Sequence, residues 1–105
     1  MTIGETFHRV EDDRRAKWRR YRAARGMADD APFAGRHPLV EAYEEALDMM
    51  NYLEEMERRL RDAGPEASAA YGRCARAAYH AYNAARLCLM AMEALRQQGE
   101  TEDEL

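Results

Sequence analysis

Glu41, Glu44, Glu45 and Asp48 stand at i, i+3, i+4 and i+7 within the stretch "PLVEAYEEALDMMNYLEE". On a helix that spacing gathers side chains on one face over two turns, and Asn51 and Glu55 carry the same face further along. Carboxylates grouped in this way suit magnesium, which takes oxygen ligands from a few carboxylates together with substrate phosphates. A pair of such ions can activate water and steady a leaving pyrophosphate. The four acids are therefore candidate metal ligands, and Glu41, Glu45 and Asp48 are candidate catalytic residues. A plainer reading stands beside this one. Leu39, Tyr43, Ala46, Met50 and Leu53 fall on the opposite side of the same helix, so the acids could simply be its solvated face. They could also pair with a basic helix. Like charges at this spacing repel by a few tenths of a kcal/mol per pair, which a metal ion, basic side chains, or water and salt would have to offset.

The arginines supply the other half of a possible phosphate chemistry. Arg73, Arg76, His80 and Asn83 recur along one polar stripe further down the chain. Guanidinium groups match phosphate oxygens bidentately, so Arg73 and Arg76 are candidate substrate-binding residues. Lys17 and Arg20 are further candidates, from the basic stretch "RRAKWRRYRAAR". As a solvent stripe, the same arginines would cover apolar surface with their aliphatic stems. Aromatic rings between positive charges can also grip nucleic acid. Nucleic acid is nevertheless not the expected partner, because the overall pI is about 5.4 and no recognition fold is evident. His8, His37 and His80 show no zinc-ligand spacing. Ser68 is the only serine, and no Gly-rich phosphate loop is present, so serine-hydrolase and P-loop chemistries are excluded.

The elements that must position these groups are helical. Alanine and arginine are abundant in the 105 residues, whereas there are two valines and one isoleucine, a composition that favours helix over sheet. Gly26, Pro38, Gly64 with Pro65, and Gly99 punctuate the chain where helix ends would fall. The expected fold is all-α: helices over about 5–25, 38–63 and 66–98 in a single domain 1–98, with an acidic, frayed tail over 99–105. The short "AGPE" break makes the last two helices an antiparallel hairpin. "GMADDAPFAGRH" would be a long loop, with Phe33 pinning it to the core. Phe7, Val10, Trp18 and Tyr21 form the stripe through which the first helix would pack.

Charge is segregated along this arrangement. Residues 37–66 carry nine acidic and three basic groups, whereas residues 67–98 carry one and four. No apolar run approaches the length of a membrane span, and no leader peptide is expected. Cys74 and Cys88 are too far apart on one helix to bridge, and reduced thiols suit a cytoplasmic protein.

The last helix presents two neighbouring stripes. One is Tyr71, Ala75, Ala78, Tyr82, Ala85, Leu89 and Met92; the other, of mostly small residues, is Cys74, Ala77, Ala81, Ala84, Cys88, Ala91 and Leu95. Together they span more surface than one hairpin partner covers. A homo-oligomer, dimer or larger, is therefore expected to complete a three-helix bundle, with Tyr71, Ala78, Ala81, Tyr82, Cys88 and Leu89 as interface candidates. Coverage of the second stripe by the first helix, within a monomer, is the alternative.

"EAYEEALDMMNYLEEM" resembles the acidic helix of the MazG-like, all-α nucleoside triphosphate pyrophosphohydrolases, and more closely that of their small phage-type relatives. The resemblance covers about residues 38–56, through Glu41, Glu44, Glu45, Asp48 and the "NYL" of Asn51 to Leu53. It implies a helical dimer or tetramer in the cytoplasm, the host's if phage-encoded. It also implies magnesium held by Glu and Asp, and cleavage of a nucleotide to a monophosphate and pyrophosphate. That family carries a second acidic motif on its next helix, where this chain has only Glu93. The missing ligands would have to come from Glu11, Asp12 and Asp13 or from another subunit; otherwise the chain is a nucleotide-binding relative without hydrolysis. The competing expectation is a non-enzymatic helical interaction protein of phage or prophage type, acting on a protein partner through charged surfaces.

Overall fold

A computed structural model describes residues 1–27 and 37–99, and these form three α-helices. The expected loop, with Phe33 in it, falls largely on 28–36, and the acidic tail lies beyond Gly99; both are outside the described residues. No strand occurs among the described residues, and none of their helices is long and apolar enough to cross a membrane. The contacts separate a unit containing the first helix from a second containing the other two, and each is described by itself.

Helix α1 is Ile3–Ala24. It starts two residues earlier than its hydrophobic pattern suggests, because Thr2 forms a capping box with Glu5. The Glu5 amide donates to Thr2 Oγ1 at 3.0 Å, and the Thr2 amide donates to the Glu5 carboxylate at 3.0 Å. At the other end Gly26 turns into the left-handed region at φ 66°. Its amide donates to Ala23 O and the Met27 amide to Arg22 O, the paired bonds of a Schellman ending. Between the caps the helix is held by its own ion pairs: Arg9–Asp13 at 3.0 Å and Arg14–Glu11 at 2.9 Å. Phe7 and Val10, expected to face a core, are exposed. Basic and acidic side chains fill so much of this helix that its apolar stripe is thin and interrupted.

Helix α2 is Pro38–Ala63. Pro38 takes the first turn, where its missing amide hydrogen costs nothing. His37 caps it, its Nδ1 accepting from the Leu39 amide at 3.1 Å. The helix stops at Gly64, whose φ of 106° and ψ of −177° suit glycine almost alone. A single 3-10 turn, Pro65–Ala67, then leads into α3, Ser68–Gln97. That turn explains why the helix proper begins at Ser68 and not at Glu66.

The four-residue connection, residues 64–67, folds α3 back along α2, and these two helices pack against each other. Among the described residues, Ala46 on α2 and Ala81, Ala85 and Met92 on α3 are the buried apolar ones. Half-buried Leu39, Tyr43, Met50, Leu53 and Leu60 line the same side of α2. The buried line on α3 crosses between the two stripes read from the sequence. Seven residues turn a straight helix by slightly less than two full turns, so a heptad stripe drifts around it.

Two predictions come from these helices. Gly64→Ala places a Cβ at a backbone angle that L residues avoid, so unfolding free energy should fall by about 1–3 kcal/mol in urea titrations. The Glu66 carboxylate, 3.2 Å from that Cβ position, can swing away and adds little. On α1, the hydrogen bond from Arg14, with the charges of Arg14 and Arg15, holds the Glu11 carboxyl below its ordinary 4.5. A lowered carboxyl pKa stabilises the fold above the unfolded value, and that contribution disappears as pH falls through the folded one. Far-UV circular dichroism should therefore record helix loss below about pH 4.5, and Glu11→Gln should flatten that part of the profile.

Candidate functional site

The acidic residues of α2 share the face turned away from Ala46 and the hairpin core. Glu44, Glu45 and Asp48 are exposed and Glu41 is half-buried. Among the described residues, no three His, Cys, Asp or Glu side chains are gathered so as to hold a metal ion. The reason is geometric: carboxylates on the convex side of one helix splay outward, and bundle metal sites draw ligands from facing helices. Among the described residues, Glu45 and Asp48 form no ion pair with a cation. Two turns on, Glu55 is neutralised within its own helix by Arg58 and by Arg59, the latter at 3.1 Å. Asn51, Glu54, Glu57 and Arg61 complete a shallow depression of about 200 Å³ around these groups.

Arg73, Arg76 and His80 are exposed on α3, and Asn83 is half-buried. They do not converge with the α2 acids. The Arg61 guanidinium carbon lies 5.9 Å from the centre of the Tyr71 ring, which sets the level of the two helices near the turn. Counting back at about 1.5 Å per residue, Arg76 is roughly 10 Å along the axis from Asp48, and Arg73 is roughly 25 Å from Glu41. Lys17 and Arg20 are exposed on α1. Beside them Trp18 and Tyr21 stack with centroids 5.0 Å apart and planes within 1°. Arg25 covers Tyr21 at 3.7 Å and Arg22 lies 4.9 Å from the Trp18 ring centre. These rings are thus engaged by their own helix, in a ladder of stacking and cation–π contacts.

The interface candidates divide by exposure. Ala81 is 3% exposed and is used inside the chain, and Tyr71, Ala78 and Cys88 are half-buried. Tyr82 and Leu89 are exposed. Two features were not anticipated from the sequence. One is the Arg61–Tyr71 contact at the turn, where the neighbouring phenol holds the Arg61 guanidinium above its ordinary value. Leu60, Gly64, Pro65, Ala67 and Ser68 line the open cavity of about 440 Å³ beside it. The other is how far the outward apolar surface of α3 extends past the expected Tyr82 and Leu89, to Tyr79 and Met90; on α2, Met49, Tyr52 and Met56 are exposed beside the acidic face. Helical spacing could have revealed the second set; the first needed the level of the two helices.

Comparison with protein-family models, curated proteins and solved structures finds no match for this chain.

Proposed function

We propose that this chain works by protein–protein contact: a helical hairpin that assembles with further copies and presents charged faces to a protein partner. The observation that carries this reading is the run of exposed large apolar side chains at helical spacing, among them Tyr52 at 75% and Tyr79 at 62%. Monomeric proteins seldom leave such surface contiguous, and where they do it usually marks an interaction site. The free thiols Cys74 and Cys88 suit a cytoplasmic setting. Multi-angle light scattering across a concentration series should give the mass of a dimer or larger species; a monomer at every concentration would end this reading.

A second reading, a MazG-like magnesium-dependent nucleotide pyrophosphohydrolase or a nucleotide-binding relative of one, is favoured by Glu45 and Asp48. They sit one turn apart, exposed, with no cation among the described residues to neutralise them. In this reading Glu41, Glu44, Glu45 and Asp48 would hold magnesium, and arginines such as Arg73 and Arg76 would meet phosphate in an assembly that brings them together. Isothermal titration of magnesium with a nonhydrolysable nucleoside triphosphate should then give heat that Glu45→Gln and Asp48→Asn abolish. No heat from the native protein would remove it.

A further inference from the structure

We infer that the partner of the α3 flank is the α3 of a second copy, packed antiparallel about a two-fold axis near Leu89 and Met90. This rests on the assembly reading above and specifies its surface. Tyr82, Arg86, Leu89, Met90, Glu93 and Gln97 recur at helical spacing on a face roughly 110° from the buried line of Ala81, Ala85 and Met92. All six are exposed, including the large apolar Tyr82, Leu89 and Met90.

The charges on this face choose the partner and its direction. Arg86 reaches no carboxylate among the described residues; its guanidinium lies 3.4 Å from the Met90 sulfur, over the apolar patch. Glu93, the only acid of α3, follows seven residues later on the same face and touches Arg96 at 3.5 Å. In an antiparallel pair centred between Leu89 and Met90, Arg86 faces Glu93 of the partner subunit, and the symmetry repeats the pair. Leu89 faces Met90 of the partner subunit between the two ion pairs. In a parallel pair in register, Arg86 would face Arg86 of the partner subunit, and like charges opposed across an interface disfavour that arrangement. The surface is therefore self-complementary in one orientation, as a two-fold interface requires.

The test is sedimentation velocity of the full chain at near-physiological salt, with circular dichroism to confirm that the exposed substitutions leave the helices intact. The native protein should dimerise. Arg86→Glu and Glu93→Arg should each weaken the dimer at least about tenfold, since each opposes like charges twice. The double variant Arg86→Glu/Glu93→Arg should recover most of the affinity. Single variants that dimerise like the native chain, or a double variant no better than the singles, would overturn this interface and leave the assembly reading standing. A native chain that stays monomeric would overturn both.

Discussion

Ala46, Ala81 and Ala85 are among the most deeply buried side chains of the hairpin, so α2 and α3 meet along a line of methyl groups. Small side chains let two helix backbones approach closely, but each contributes little apolar area to the core. Hydrophobic stabilisation scales with area removed from water, at about 25 cal/mol per Å². A core of alanines with one buried methionine is therefore modest for the length of helix it must hold. The larger apolar groups were not absent from the sequence; they lie outside the seam. Tyr52 stands among the outward acids of α2 with Met49 and Met56 to one side of them, and Tyr79, Tyr82, Leu89 and Met90 face outward on α3. What the hairpin lacks inside it carries outside, and the assembly reading follows from that displacement.

Charge follows the same logic. The acids of α2 sit opposite the seam, where they remain hydrated and cost nothing in burial. Arg58 and Arg59 answer Glu55 locally, and Arg14 and Arg15 answer Glu11 on α1. Exposed pairs of this kind each contribute only about 0.2–1 kcal/mol. They support helices whose apolar faces are too thin to hold them alone, which suits α1 in particular. Arg86 and Glu93 differ, because each sits beside exposed apolar side chains; among the described residues Arg86 meets no carboxylate, and Glu93 meets Arg96 at 3.5 Å.

Helix ends were legible in the sequence because they are local. Gly26, Pro38 and the Gly64–Pro65 pair act through their own backbone angles and missing amide hydrogens, and they fall where the helices end or begin. The capping box of Thr2 and Glu5 is equally local, and its spacing was open to reading. Which side of α3 faces α2 was not legible. Both of its stripes offer alanines at contact spacing, and the seam takes Ala81 from one, and Ala85 and Met92 from the other. The acidic face was visible as a face, since helical periodicity needs only one element. Its convergence with Arg73 or Arg76 needed the level of α3 against α2, and the Arg61–Tyr71 contact that sets this level joins residues across the turn.

The two functional readings place different demands on an assembly. An antiparallel α3 pair has its two-fold axis perpendicular to the helices, which brings both α2 helices to the same side of the contact. Their acidic faces still point away from α3, because Glu41, Glu45 and Asp48 lie opposite Ala46 on the helix. This contact therefore supplies no further carboxylates to those residues. A metal site there would need a separate contact over the outer face of α2, with acids or phosphate oxygens arriving from outside the hairpin. The proposed dimerisation through α3 and the proposed magnesium binding on α2 would thus be independent: loss of the first leaves the second open, and the first alone does not bring the second about.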